Sequence, residues 1–421
     1  MIYSRNDSDE LDTLPPLSDD YIAPAPRVSV QAFCETTTTA DAVQSAGVDR
    51  RLAKAHLTIK MGGMEAAIET YHSVPTPNVI ILETKPGHDI LAGLDELATV
   101  CDAGTRVVVI GSEDDTAPYR ELVRRGVSDY VIGPVETLDV VRAICGLFSA
   151  SEDTPVGRII AVVGAKGGVG ASTVAHNVAW AIARDLSLDS VVIDLDMAFG
   201  TASLDYNKDP LQGIANAVFA SERPDSAFIE RLLAKCNDHL SLLASPAALD
   251  RVYDFGADAF DAIFDTMRLT TPVIVLDIPH QWSGWTRRAL VGADDILIVA
   301  EPDLANLRNA KNMLTILKAA RPNDRPPLYC LSQVGMSKRP EISPREFAKA
   351  IEGPPIASIP FDPKMFGTAA NNGQMIAEIS ASHRISKTFV HMAQQLTGRG
   401  EAKKPRGSLF APIINKLRAK G

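Results

Sequence analysis

The residues best suited to chemistry form a glycine-rich loop that follows an apolar, strand-like run at 159–163. The loop is Lys166, Gly167, Gly168, Val169, Gly170, Ala171, Ser172 and Thr173. Glycines let successive backbone N–H groups turn toward phosphate oxygens, and the positive end of a following helix points at them. Ser172 stands where a hydroxyl ligates Mg²⁺. The order strand, loop, helix predicts a nucleotide-phosphate site; a glycine-rich turn without a ligand is the alternative.

Carboxylates follow two other apolar runs. Residues 191–193 lead into Asp194 and Asp196, and residues 273–276 lead into Asp277. Ligand sites of α/β proteins form at the C-terminal ends of parallel strands. We therefore expect the three carboxylates near the glycine-rich loop, with helix N-capping as the alternative role for each.

A scaffold of alternating strands and helices must position these residues. The pattern predicts an α/β fold with two doubly wound parallel-sheet domains, residues 28–150 and 151–397. An acidic tail at 1–27 is predicted to be disordered, and a basic tail occupies 398–421. The predicted strands are 28–30, 57–59, 79–82, 107–110 and 130–132, then 159–163, 191–194, 240–243, 273–277, 296–299 and 328–331.

Composition argues against several classes of protein. The 421 residues carry a net charge of -10, from 42 Lys+Arg against 52 Asp+Glu, so nucleic acid is not an expected partner. The five cysteines include no Cys-x-x-Cys pair, which argues against zinc sites, iron–sulfur sites and a disulfide framework. We find no secretory signal and no apolar run of about 18 residues, so we expect a cytoplasmic protein.

Lys166, directly before Gly-Gly-Val-Gly, resembles the signature lysine in the deviant Walker A loop of the MinD/ParA ATPases. The resemblance implies that residues 166–173 bind ATP and Mg²⁺ within a homodimer, where Lys166 reaches the phosphates of the partner's ATP. It implies that Asp277 holds Mg²⁺ through water and that Asp194 orders the switch beside the metal. It also implies that Asp196 positions the attacking water, so that Asp196 and Lys166 are the catalytic candidates, with Ser172, Asp194 and Asp277 on the metal.

The resemblance to the MinD/ParA ATPases includes a loop near the C-terminal side. One position of the Walker A loop differs from the family. Residues 359–362, with Pro360 and Asp362, resemble the loop that contacts the adenine base in the family. The family's second lysine, directly before the Ser/Thr, is Ala171 here. Its loss removes a charge-assisted phosphate contact of about 1.5–3 kcal/mol, which predicts slow hydrolysis.

The first domain resembles a response-regulator receiver in size and strand order. A receiver carries a phosphate-accepting aspartate at the end of its third strand and a lysine before a proline after its fifth. Here these positions are Glu83 and Gly133. We expect a docking or dimerising domain without a phosphoacceptor, because the phosphoryl charge would have no lysine partner.

Two longer segments narrow the resemblance to the CpaE/TadZ proteins of tight-adherence (Flp-type) pilus assembly. They are residues 277–288, which follow the second-domain carboxylate Asp277, and residues 300–309. Together with Ala171 and the receiver-like domain, they imply a localisation factor that marks a cell pole and recruits pilus-assembly proteins. Trp282 and Trp285, in the first segment, serve either a partner surface or core packing.

Apolar residues of the C-terminal tail lie at helical spacing among basic residues, from Leu409 to Leu417. MinD uses such a helix to hold the inner membrane, so peripheral membrane contact is one expectation and docking on protein the other. Two alternatives to a slow, dimerising localisation factor stay open. One is a fast-cycling MinD/ParA-type ATPase, and the other is a non-hydrolysing scaffold.

Overall fold

The computed structural model describes residues 21–85, 89–111, 119–148, 157–220, 223–249 and 252–399. They divide into two compact units, one with residues 21–148 and 319–325 and the other with residues 157–318 and 326–399. The predicted tails therefore lie outside the described residues at 1–20 and 400–421. Within the described ranges, each helix is too short or too polar to cross a membrane.

The first unit alternates strands with helices, as predicted. Its strands are β1 (Ser29–Cys34), β2 (His56–Met61), β3 (Val79–Glu83), β4 (Arg106–Gly111) and β5 (Val127–Ile132). Its helices are α1 (Thr37–Gly47), α2 (Gly63–Tyr71), α3 (Ile90–Val100), α4 (Tyr119–Arg124) and α5 (Thr137–Gly146), with a 3₁₀ turn at Arg50–Leu52.

These strands form a parallel sheet in the order β2-β1-β3-β4-β5. This is the flavodoxin-like order of receivers, which confirms the predicted fold class. Successive residues of a strand face opposite sides of the sheet. Ile81 accordingly packs with Val43 of α1 and Ile144 of α5, whereas Ile80 packs with α2 and α3 on the other face.

Two segments of the first unit differ from the predicted boundaries. Residues 21–27 were expected in the tail, but Ala25 is buried and donates its N–H to the carbonyl of Arg51 at 2.9 Å. Residues 319–325 were expected in the second domain. They join the first unit because Asp324 accepts a bond from Arg50 Nε at 2.7 Å and pairs with Arg51.

Glu83 closes β3 and is tied into the corner between β1 and α1. Its Oε2 accepts the N–H groups of Glu35 (2.7 Å) and Thr36 (2.9 Å). Its Oε1 accepts the hydroxyls of Thr36 (2.7 Å) and Thr39 (2.8 Å). The carboxylate at the receiver's phosphoacceptor position is thus an internal cap for the first turns of α1.

The second unit has a longer sheet. Its strands are β6 (Arg158–Gly164), β7 (Ser190–Asp194), β8 (Ala234–Lys235), β9 (Leu240–Leu243), β10 (Val273–Ile278), β11 (Asp295–Ala300), β12 (Leu328–Val334) and β13 (Ser358–Pro360). Its helices are α6 (Ala171–Leu186), α7 (Ala202–Asp205), α8 (Ile214–Val218), α9 (Ser226–Leu232), α10 (Asp261–Arg268), α11 (Gly284–Gly292), α12 (Leu304–Ala320), α13 (Pro344–Ile351), α14 (Pro363–Asn372), α15 (Ile376–Ile379) and α16 (Arg384–Thr397).

The order of this sheet is β13-β12-β11-β6-β10-β7-β9-β8, and only the short edge strand β8 pairs antiparallel among the described strands. Each predicted strand is present, and β8 and β13 were missed. Strand β6 lies centrally and is buried on both faces. Ile160 and Val162 pack against α6 and α16, while Ile159 and Ala161 pack against α10, α11 and α12.

The two tryptophans after β10 have different surroundings. Trp285 is buried against Phe255 and Phe260, with ring centroids 6.2 and 4.9 Å away. Trp282 is 49% exposed. Core packing is therefore the role of Trp285, and the partner-surface interpretation applies only to Trp282.

Candidate functional site

The glycine-rich loop joins the end of β6 to the start of α6. Gly168 and Gly170 have φ values of 82° and 84°, a left-handed conformation that side chains other than glycine rarely adopt. These two residues turn the chain back on itself so that α6 begins at Ala171 with its N-terminal end at the loop. The local geometry is that of a phosphate-binding loop followed by a helix N-terminus.

Three side chains from neighbouring elements hold the carbonyl groups of this segment. His280 Nδ1, after β10, lies 2.9 Å from the Gly164 carbonyl oxygen and donates to it. Asn309 Nδ2 of α12 donates to Ala165 at 2.9 Å. Gln333 Nε2 of β12 donates to Gly168 at 3.0 Å. The loop is therefore fixed from three sides by hydrogen bonds that engage its carbonyls.

Lys166 lies at the outer edge of the loop. Its side chain is 49% exposed, and its Nζ lies 3.7 Å from Asp303 Oδ2. Burial raises the pKa of Asp303, but hydrogen bonds from Asn306 and the nearby Lys166 charge outweigh it, so the pKa is lowered. The lysine is thus half-exposed and forms a long ion pair with an ionised carboxylate of its own chain.

Asp277 stands beside the loop because its strand is the sheet neighbour of β6. Strand β10 pairs with both β6 and β7, and the register places Asp277 beside Val162 on one side and Asp194 on the other. Asp277 is 4% exposed. The structure thus brings Asp277 and Asp194 together at the carboxyl ends of the central strands, as the sequence predicted.

A histidine that the sequence analysis did not single out completes this cluster. His176 is fully buried on α6; its Nδ1 lies 2.7 Å from Asp205 Oδ2, and its Nε2 lies 3.2 Å from Asp277 Oδ2. The Nε2 contact is an ion pair without good hydrogen-bond alignment. Burial favours the neutral ring, but the two carboxylates outweigh it and raise the pKa of His176 to about 10.

Asp194 and Asp196 organise the loop after β7. Asp194 accepts the N–H of Asp196 (3.0 Å) and, at its other oxygen, the N–H of Ala202 (3.2 Å) and the Ser245 hydroxyl (3.0 Å). Burial, then the charge of Asp277, raises the pKa of Asp194 to about 6. A Cβ at Gly200 would approach the Ser245 oxygen to 2.0 Å, so the close packing of this loop requires glycine.

Asp196 has a smaller role in the same loop. Its Oδ1 accepts the N–H of Phe199 at 2.9 Å, which resembles an N-cap bond, and the residue is half-buried. Asp362 likewise accepts the N–H of Met365 at 3.0 Å and caps α14. Capping, which was the alternative role for Asp196, therefore describes its contact. Asp362 makes a capping contact as well, and the parts of the two carboxylates in catalysis and nucleotide binding stay predictions.

A cavity of about 260 Å³ opens beside the loop. Its walls combine the glycines of the loop with the segment after β13, and they include Gly168, Gly170, Thr173, Pro360, Phe361 and Asp362. The predicted base-side residues Pro360 and Asp362 thus share one cavity with the predicted phosphate-side residues. Phe361 is 36% exposed and Phe366 is partly buried, so these two rings add aromatic surface on which a planar ring can lie.

Comparisons with known proteins agree with this geometry. Residues 157–328 match a protein-family model described as an AAA domain. The ParA family ATPase of Chlorobium tepidum superposes with a TM-score of 0.51 at 24% identity, covering 57% of this chain and 99% of that one. The second unit therefore has the parallel-sheet α/β fold of that protein.

Relatives compared by sequence match the same part of the chain. The septum site-determining protein MinD of Synechocystis is 25% identical over 253 residues, which are 58% of this chain and 90% of that protein. An uncharacterised protein of Mycobacterium tuberculosis is 27% identical over 219 residues, 51% of this chain. The chain spans only 60% of the length of this mycobacterial relative.

One further solved structure is a pilus assembly protein CpaE from Caulobacter crescentus. It is 44% identical to this chain, covers 30% of it and is itself covered to 98%, with a TM-score of 0.29.

The donors beside the glycine-rich loop are of the kinds that hold a magnesium ion together with phosphates. Among the described residues, no group of three or more His, Cys, Asp or Glu side chains forms a metal cage. Mg²⁺ is commonly held by one or two carboxylates together with substrate phosphates and water. Asp277 supplies such a carboxylate and Ser172 supplies a hydroxyl oxygen. The Asp194 carboxylate, by contrast, already accepts two hydrogen bonds within its own loop and one from Ser245.

Sequence reasoning gave no role to His176, His280, Asn309 or Gln333, although His280 and Asn309 lie within the segments 277–288 and 300–309. The signal for His176 is its position. It lies four residues after Ser172, one helical turn along α6, in a helix whose other buried positions are apolar except for Asn177. A polar side chain on such a face needs buried partners, which here are carboxylates.

Proposed function

We propose that the chain binds Mg²⁺-ATP at residues 166–173 and dimerises around it. The observation that carries the proposal is the register of the central strands, which sets Asp277 beside the strand that leads into the loop. The loop offers backbone N–H groups and the α6 N-terminus to phosphates. Asp277 and Ser172 offer oxygen ligands to Mg²⁺, and the adjoining cavity offers aromatic surface to the base.

Lys166 supports the dimer part of the proposal. A lysine that served its own nucleotide would be expected to point into the loop, but Lys166 is half-exposed and 3.7 Å from Asp303. An exposed ion pair of this kind contributes at most about 1 kcal/mol, so the lysine is easily released. Released, it is free to reach the phosphates of a partner copy.

Hydrolysis is proposed to be slow. Ala171 leaves the phosphates without the lysine that precedes the Ser/Thr in the resembling family, and Asp196, the candidate for positioning water, is engaged with Phe199. These features favour a nucleotide switch over a fast-cycling ATPase. Conversely, the ordered loop, Lys166 and Asp277 favour nucleotide binding over a scaffold without a ligand.

The cellular role we propose is that of a localisation factor in assembly of a tight-adherence (Flp-type) pilus. It rests on the resemblance of residues 277–288 and 300–309 and on the receiver-like first domain. Pilus-assembly proteins at a cell pole are the proposed partners. Contact of the tail 398–421 with the inner membrane surface is a part of the proposal that concerns residues largely outside those described.

Binding and dimerisation are tested by fluorescence titration with an ATP analogue and by sedimentation velocity, each with Mg²⁺-ATP, Mg²⁺-ADP or EDTA. We expect binding in Mg²⁺-ATP and a dimer that Lys166→Ala weakens. Lys387→Ala, at an exposed position of α16, is the matched control and leaves both unchanged. A wild-type chain that binds no ATP contradicts the proposal.

A further inference from the structure

His176 joins three elements of the second unit. It belongs to α6, one turn after Ser172, and contacts Asp277 at the end of β10 and Asp205 at the end of α7. Its backbone carbonyl accepts the Tyr206 hydroxyl at 2.9 Å, and the two rings lie 5.4 Å apart. The histidine is therefore held on both its backbone and its side chain.

The ring of His176 lies between two carboxylates. Its Nδ1 lies 2.7 Å from Asp205 Oδ2, and its Nε2 lies 3.2 Å from Asp277 Oδ2. The ring therefore presents one nitrogen to each carboxylate and holds Asp205 and Asp277 on its two sides.

This arrangement restricts Asp277. The carboxylate is 4% exposed, and one of its oxygens, Oδ2, lies 3.2 Å from the Nε2 of His176. Outer partners of metal-ligating groups fix the orientation of the ligand and are worth about 10- to 100-fold in metal affinity. Asp205 contacts the other nitrogen of the ring, and its side chain is 21% exposed, so this carboxylate lies near the surface.

We propose that His176 is a positioning residue that orients Asp277 for Mg²⁺ and links it to Asp205 on α7. This inference rests on the proposed function, because it assumes that nucleotide binding at the loop uses Mg²⁺ and Asp277. His176 would thus be a residue outside the glycine-rich loop that contributes to Mg²⁺ binding. Through Asp205, it would also connect Asp277 to the segment that follows Asp194 and Asp196.

Two substitutions test the contacts of the two ring nitrogens separately. In His176→Gln the amide nitrogen falls near the position of Nε2 and donates toward Asp277. In His176→Asn it falls near Nδ1 and donates toward Asp205. Both side chains are neutral, polar and smaller than histidine, so each is the matched control of the other, and circular dichroism with thermal melting checks their folding.

The measurement is the affinity for a fluorescent ATP analogue in the full chain, with Mg²⁺ and with EDTA. We expect all three proteins to bind equally in EDTA. In the wild type, Mg²⁺ should raise the affinity by some factor over EDTA. For His176→Gln we expect this factor to lie within about 3-fold of the wild-type value. For His176→Asn we expect it to be about 10- to 100-fold smaller. A purely structural role would change both variants alike and in both conditions.

The inference is overturned if folded His176→Asn keeps the wild-type gain from Mg²⁺, or if both folded variants lose it equally. Should neither variant fold, Asp205→Asn replaces them, since Asp205 is partly exposed. It is expected to reduce the gain from Mg²⁺ at unchanged affinity in EDTA, and an unchanged gain overturns the inference. Wild-type protein that binds no ATP in either condition overturns the proposed function together with this inference.

Discussion

Removal of the Glu83 carboxylate is predicted to destabilise the first unit selectively. Glu83 accepts four hydrogen bonds, two from backbone N–H groups and two from threonine hydroxyls. It also places a negative charge at the N-terminal end of α1, which the helix dipole favours. We compare Glu83→Ala, which removes every acceptor, with Glu83→Gln, which keeps one oxygen.

The magnitudes follow from which donors lose a partner. Hydroxyls can rotate, and Thr36 Oγ1 already lies 3.1 Å from Thr39 Oγ1. The N–H groups of Glu35 and Thr36 cannot, and because their bonds to Glu83 are partly buried, each unpaired donor costs about 1–2 kcal/mol. Glu83→Ala should therefore lower the free energy of unfolding by about 3 kcal/mol. Glu83→Gln can direct its oxygen at both N–H groups and should cost about 1 kcal/mol.

Separate probes report the two units of the full chain. All three tryptophans, Trp180, Trp282 and Trp285, belong to the second unit, so fluorescence follows its unfolding. Cys34 and Cys145 are buried in the first unit, so the urea dependence of their labelling by a thiol reagent follows that unit. With a urea dependence of about 2 kcal/mol/M, the labelling midpoint should fall by about 1.5 M in Glu83→Ala and about 0.5 M in Glu83→Gln.

The fluorescence midpoint should stay at the wild-type value in both variants. If the labelling midpoint is unchanged in Glu83→Ala, the four hydrogen bonds do not stabilise the unit. Equal shifts in the two variants would contradict the assignment of the cost to the two backbone donors.

Three further predictions concern the core, the thiols and turnover. Trp285→Ala should lower the free energy of unfolding of the second unit by about 3–5 kcal/mol and Trp282→Ala by less than about 1 kcal/mol, measured by urea denaturation followed by circular dichroism. Burial raises the pKa of Cys330 to about 12, so iodoacetamide at pH 8 should leave it unmodified in native protein and alkylate it only after unfolding, as peptide mass spectrometry will show. Ala171→Lys should increase phosphate release from ATP; no increase would mean that this alanine does not limit turnover.

Much of the fold could be predicted because both sheets are parallel and buried. Their strands are short runs of apolar residues with helical spacing between them, and this pattern does not depend on distant contacts. Strands β8 and β13 were missed because two or three residues give no periodicity. Residues 319–325 were assigned to the wrong unit because the ion pairs of Asp324 with Arg50 and Arg51 join residues that are far apart in the sequence.

The site could be predicted only where a residue follows a strand or a glycine-rich turn. Asp194 and Asp277 were found this way, and the sheet register brings them together. His176 has no such marker, because its role depends on Asp205 and Asp277 approaching it from other elements. The hydrogen bonds that engage Asp194 and Asp196 were equally hidden, since they are made within a loop of irregular structure.

The central claim is that Mg²⁺-ATP binds at residues 166–173 and assembles two copies of the chain. Sedimentation velocity of the wild-type chain and of Lys166→Ala, at one protein concentration with Mg²⁺-ATP or EDTA, tests it most directly. The account predicts a dimer of the wild-type chain in Mg²⁺-ATP, monomers in EDTA, and a reduced dimer fraction for Lys166→Ala. An unchanged wild-type monomer fraction on addition of Mg²⁺-ATP would contradict it.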